Sequence, residues 1–185
     1  MQPGWKLENP AQQASPVRCT QAMKKLFFIL EILFLMFFAS KGVAQTTTHI
    51  RQSIVDTAIL IGDFKFVDMD AVGPGGMATS QMQRFIFLLE NATDNELSIL
   101  ASNKNANVRA YAFWSLAIRK YKRLRQILES QLSDSTLIYC RFNCTNLSMP
   151  INRFYIKVLT PTNSFMHGTT LTEDELKKYN DRIGN

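Results

Sequence analysis

The sequence predicts an all-α fold, a compact domain of about seven short helices behind an N-terminal signal peptide. Three observations carry that expectation. Thr93-Asp94-Asn95-Glu96 and Thr172-Glu173-Asp174-Glu175 are capping boxes, in which a hydroxyl and a glutamate three residues apart satisfy each other's backbone amides at a helix start. Residues 108–120 are apolar nearly all round, so that helix must be covered on several sides and forms the centre of the core. Residues 23–44 carry the layout of an export signal.

That layout has three parts. Met23, Lys24 and Lys25 give a basic start, and residues 26–38 are apolar except for Glu31. Residues 39–44 then supply small side chains, with Gly42 and Ala44 at −3 and −1 of a cut before Gln45. The apolar run is shorter than the roughly 20 residues of a spanning helix. Residues 1–22 are polar and turn-rich (Pro3, Gly4, Pro10, Pro16), so we expect disorder there and a mis-assigned start, with translation beginning at Met23. The alternative is an uncleaved anchor that reaches Ala44 with Lys41 extended toward the interface. Glu31 weakens both readings, because an acid in mid-helix is costly in lipid. Arg18, Lys24 and Lys25 outnumber Lys41, which puts residues 45–185 outside the cytoplasm in either case. The expected location is therefore the periplasm or the medium, or else the inner membrane with the domain facing out. Gln45, not a cysteine, stands directly after the cut, so a cysteine-anchored lipoprotein is not expected.

Composition narrows the partners. Removing residues 1–44 takes away five cations (Lys6, Arg18, Lys24, Lys25, Lys41) and two acids (Glu8, Glu31), which halves the formal net charge of +6. A balance that small suits solubility and argues against nucleic acid. His49 and His167 do not stand at ligand spacing, so no metal or other cofactor is expected.

Residues 50–62 read as a helix, with Ile50, Ile54, Ala58 and Ile61 on one face. Residues 63–76 form a breaker-rich connection. Asp68, Asp70 and Gly73 imitate half of a calcium loop there, but Val72 and Thr79 occupy positions that need acids. A helix over residues 81–90 follows, capped by Thr79 or Ser80, and the Thr93 capping box opens a short one through Leu97 and Leu100. Asn107 is the expected N-cap of the core helix. Residues 124–132 make a further amphipathic helix, whereas residues 136–147 read as either a loop or a short strand pair. Ile151, Phe154, Tyr155, Val158 and Leu159 fall at helical spacing, and a terminal helix turns Leu176, Tyr179 and Ile183 inward.

Residues 96–120 resemble a HEAT-type repeat. In that family a first helix ends in a short Asn/Asp-rich turn, and a second opens with Val-Arg and small residues. Val108-Arg109, Ala112 and Leu116-Ala117 match that pattern. The wider stretch 73–132 is similar to small exported HEAT-like proteins of Bacteroidetes-type bacteria. The resemblance implies a HEAT-like hairpin at the centre of the domain, a tendency to bind proteins, and no catalytic residues. Solenoids need about three repeats and only one is clear, so a compact domain is expected.

The structural core expected from this match is Val108, Arg109, Ala112, Phe113, Leu116 and Ala117. Arg109 either meets an anionic ligand or, as the resemblance implies, bridges neighbouring turns. Arg119, Lys120, Lys122, Arg123 and Arg125 offer contact to anionic lipid or polysaccharide, although steps of about 100° would scatter them around a single helix. Tyr111, Phe113 and Trp114 read as core before they read as a peptide groove. Cys140 and Cys144 either form a tight disulfide or stand as separate buried thiols. With His167 they provide the one combination on which a thiol-dependent enzyme would rest. The function expected is a non-catalytic exported scaffold that binds an unknown protein partner. Membrane contact is expected only if residues 23–44 stay uncleaved.

Overall fold

The computed structural model describes residues 49–69, 78–142, 145–161 and 168–184. Residues 1–48, which hold the expected signal and its cut, lie outside these, as do Asp70, Gly73, Asn143, Cys144 and His167. In chain order the elements are α1 (Gln52–Gly62), β1 (Phe66–Asp68), α2 (Ser80–Asn91), α3 (Asp94–Leu100), α4 (Ala106–Ile118), α5 (Leu124–Gln131), β2 (Leu137–Phe142), β3 (Thr145–Pro150), α6 (Ile151–Val158) and α7 (Glu173–Ile183). All of them belong to one unit, Thr47–Asn185. No helix among the described residues is long and apolar enough to cross a membrane.

Capping chemistry sets the helix starts. Thr79 accepts from the Met82 amide at the head of α2, and both capping boxes form, on Thr93 and Glu96 and on Thr172 and Glu175. At α4 the cap is Asn105, whose side chain accepts from the amides of Asn107 and Val108. Asn107, expected in that role, lies inside the first turn and donates instead to the Phe64 carbonyl at 2.7 Å. The turn Asn103-Lys104-Asn105-Ala106-Asn107 carries three asparagines, of which Asn105 takes the cap while Asn107 is held by its contact to Phe64.

α4 runs through the middle. Its residues Val108 and 110–117 are buried, and α1, α2, α3, α6 and the sheet all pack against it. Phe85 stacks on Trp114 at 4.5 Å and on Tyr111 at 5.0 Å, while Phe113 meets Tyr155 at 4.2 Å on another side. Burying a side chain of that size contributes roughly 1.5–3 kcal/mol, so this aromatic layer is a large share of the core. Gly168 lies against the end of α4, where an added Cβ would sit 2.6 Å from the Ala117 carbonyl oxygen.

The chain is mostly helical, but the all-α expectation is corrected by a three-stranded sheet of order β1-β2-β3. β1 runs parallel to β2, with Phe66 opposite Tyr139 and Asp68 opposite Arg141. β2 and β3 form an antiparallel pair from Leu137 opposite Pro150 to Phe142 opposite Thr145. Of the two readings left open for residues 136–147, the strand pair is therefore the one the chain adopts. β2 alternates as a half-buried strand should, with Ile138 and Cys140 inward and Leu137 and Tyr139 outward. β1 escaped detection because a three-residue strand carries no period, and its partner is contributed from far along the sequence.

A candidate binding face on the sheet

The parallel pairing of β1 and β2 assembles an exposed aromatic surface. Tyr139 is 45% and Leu137 60% exposed, both on the side of the sheet away from the buried Ile138 and Cys140. The Phe66 and Tyr139 rings meet edge to face at 6.4 Å, and Phe64 packs on Phe66 in the same manner at 6.4 Å. Cations lie over these rings. Lys65 Nζ is 4.9 Å from the Tyr139 centroid and 5.5 Å from that of Phe66, and the Arg141 guanidinium is 5.4 Å from Phe66. Contacts of this kind contribute about 0.5–1 kcal/mol each at exposed sites, a modest bias toward this arrangement of the rings.

Beside that surface lies a groove of about 340 Å³ lined by residues 62–65, 105–107 and 137–139. Its wall is pinned by side-chain amides: Asn105 Nδ2 donates to the Gly62 carbonyl at 3.0 Å and Asn107 Nδ2 to that of Phe64. The groove therefore combines an aromatic edge, a lysine and fixed asparagines.

A buried carboxylate holds the face in register. Asp68 is fully buried and receives two hydrogen bonds from Arg141, Nε to Oδ1 at 2.9 Å and Nη2 to Oδ2 at 2.8 Å. The Thr79 hydroxyl donates to the same carboxylate. The Tyr111 hydroxyl accepts from the Asp68 amide at 2.7 Å and donates to the Asp68 carbonyl at 3.0 Å. Burial, reinforced by the Asp68 charge, pushes the Tyr111 phenol well above its ordinary range, so it stays a neutral donor. Asp68 is thus a structural anchor. No cluster of three or more potential metal ligands occurs among the described residues.

The residues singled out in the sequence lie elsewhere. Val108, Ala112, Phe113, Leu116 and Ala117 are all buried around α4. Arg109 donates to the carbonyls of Asn103 and Lys104 at 2.8 and 3.0 Å and to Asp134 Oδ2 at 2.6 Å, so it ties the α3–α4 turn to the segment after α5. Its side chain is only 11% exposed.

The five cations do not form a stripe. α4 stops at Ile118, Lys120 takes a left-handed φ of 54°, and α5 starts at Leu124, so the cluster straddles a turn. Arg119 donates to the Leu89 carbonyl and pairs with Asp94 at 3.0 Å, while Arg125 makes a two-pronged bridge to Glu175 at 2.8 and 3.0 Å. That bridge, with the Thr172 amide, lowers the Glu175 carboxyl to about 2. Arg123 lies over the Tyr121 ring, next to a concavity of about 250 Å³. Lys120 and Lys122 are exposed.

Cys140 is a free thiol with no exposed surface, and burial pushes it up to about 12. It is therefore protonated at neutral pH. Its possible disulfide partner, Cys144, lies outside the described residues.

Sequence reasoning missed Phe64, Lys65, Phe66, Leu137 and Tyr139 as surface candidates. The alternation in β2 could have pointed to Leu137 and Tyr139, whereas nothing local marks Phe66 as their neighbour. No protein-family model matches the chain, and no curated protein matches it either.

Proposed function

We propose that this chain is a non-catalytic exported helical scaffold that mediates protein–protein interaction in the cell envelope. Export rests on the layout of residues 23–44, with a cut before Gln45. Interaction rests on one observation above the others. Leu137 and Tyr139 stand side by side, exposed, next to Phe66 and a groove, on strands whose inner face is locked into the core. Aromatic and aliphatic side chains fixed on a rigid element, rimmed by Lys65 and asparagine amides, match the make-up of protein-binding surfaces.

The HEAT-like reading of α3 and α4 belongs to the same proposal. Residues 101–105 join the two helices, and Arg109 binds the intervening turn as the repeat pattern implies. Two of the five cations in the basic cluster are engaged by Asp94 and Glu175, so the lipid or polysaccharide alternative has less to stand on than the sheet face.

Two linked measurements test this. The intact mass of the protein recovered from each cell fraction should start at Gln45 in the periplasmic or secreted fraction. Pull-downs from envelope extract should return the same specific partner repeatedly. A mass that retains residues 23–44, found in the membrane, would contradict release, and repeated pull-downs without a specific partner would contradict the interaction.

A further inference from the structure

The sheet has one closed edge and one open one. On the β1 side, Gln81 Nε2 donates to the Phe66 carbonyl at 3.1 Å, and the Tyr111 hydroxyl engages both backbone groups of Asp68. β3 has no such cover among the described residues. The phase of the ladder identifies which of its groups are left over. The Arg141 carbonyl accepts from the Met69 amide at 2.9 Å and so faces β1. Backbone groups alternate in direction along a strand, which turns Ile138, Cys140 and Phe142 toward β3. Their partners are Met149, Leu147 and Thr145, so the N–H and C=O of Asn146 and Ser148 point away from the sheet. The Thr136 carbonyl, accepting from the Ile151 amide at 2.9 Å, fits the same phase. Asn146, Leu147 and Ser148 are all exposed.

An open edge is a template for another strand, and proteins usually blunt it with lysines, inward charges or bulges. Residues 145–150 carry no charge at all, and Pro150 stands only at the end.

We propose that the β3 edge pairs with β3 of a second copy of this chain, antiparallel about a twofold axis at Leu147. In that register Asn146 of one copy faces Ser148 of the other and exchanges both hydrogen bonds with it, and the same pair recurs across the axis. Leu147, 42% exposed in the single chain, meets its twin in the closer, non-hydrogen-bonded position. Three features suit the edge to its own copy. The strand is uncharged, so like meets like without repulsion. Its outward groups are symmetric about Leu147, so each donor meets an acceptor. Pro150 lacks an N–H and falls beyond the paired stretch, which limits its length. Antiparallel pairing within one sheet sets the axis perpendicular to that sheet, so Leu137 and Tyr139 of both copies face the same side. This inference stands apart from the partner binding proposed above, because it uses the backbone of the edge rather than the outer face.

Sedimentation equilibrium of the full chain in mild detergent, up to about 100 µM, measures the association. Ser148→Pro removes one outward N–H and leaves the β2 ladder intact, and Leu147→Lys sets charge against charge at the axis. The expected result is a concentration-dependent dimer whose Kd rises by at least about tenfold in each variant, with circular dichroism unchanged. Should Ser148→Pro fail to fold, Leu147→Lys carries the test, since its side chain is on the surface. A monomer throughout the range overturns the proposal, and so does a dimer that neither variant weakens. Protection of the Asn146 and Ser148 amides from hydrogen exchange only after envelope extract is added to a monomer would assign the edge to another protein's strand, and overturns it equally.

Discussion

Arg141 grips the Asp68 carboxylate through two hydrogen bonds of 2.9 and 2.8 Å, across a separation of 73 residues. The carboxylate is fully buried and the guanidinium a quarter exposed. The pair joins β1 to β2 and thereby fixes Phe66 beside Tyr139. Arg141→Leu should destabilise the protein by about 3–5 kcal/mol, because it strands a buried charge. Asp68→Asn, which keeps a polar group for Thr79, should cost about 1–3 kcal/mol. Denaturant midpoints of both variants and of the Asp68→Asn/Arg141→Leu double check this. The double should be less destabilised than the sum of the singles; additivity would mean the pair is not coupled.

Acid should weaken the α1–α3 junction. Glu96 is buried, and its Oε1 and Oε2 accept from Arg51 Nε and Nη2 at 2.9 and 2.7 Å and from the Thr93 amide at 2.7 Å. The Arg51 hydrogen bonds, opposed by desolvation and helped by Thr93, hold its carboxyl far below the usual range. A depressed folded value means that this stability is complete above the unfolded value of about 4.3 and is lost as pH falls from there through the folded value. Glu96→Gln should lower stability at pH 7 and flatten its decline below about pH 4.3. An unchanged slope in acid titration of the unfolding midpoint would contradict the assignment.

Cys140 should be inert in the folded protein. Burial pushes its thiol up to about 12, so it stays protonated at the pH of ordinary thiol labelling, and burial blocks access as well. Peptide mapping after thiol labelling should find Cys140 unmodified under native conditions and modified in denaturant. Rapid native labelling would revive the thiol-dependent alternative.

Lys120 closes α4 in a left-handed conformation, with its amide donating to the Ala117 carbonyl and the Tyr121 amide to that of Leu116. That is the position where helices favour glycine. Lys120→Gly should raise stability by about 0.5–1 kcal/mol, measured by thermal unfolding. A loss would indicate that the lysine side chain makes a contact of its own.

The helical part of this fold was legible because its determinants are local. Thr93 with Glu96 and Thr172 with Glu175 announce their helices within four residues, and the apolar run of α4 announces the core. The sheet was not, because β1 is defined by partners at Tyr139, Cys140 and Arg141 and not by its own three residues. Asp68 illustrates the consequence. In sequence it resembles part of a failed calcium loop, while in the fold it is the counter-charge of Arg141. The basic cluster is adjacent in sequence but divided in the fold, where Arg119 and Arg125 are drawn to different acids, Asp94 and Glu175. The candidate face therefore emerges only when the strands are paired.

The most direct test of the central claim is site-specific photo-crosslinking in the native host, with a photoreactive residue in place of Tyr139. Tyr139 is exposed, so the fold should tolerate the change, with stability altered by no more than about 0.5 kcal/mol. The account predicts one discrete adduct with an envelope protein, abolished by Leu137→Ser in the same chain. No adduct at position 139, or an adduct indifferent to Leu137→Ser, would show that the outer face of the sheet is not where this protein meets its partner.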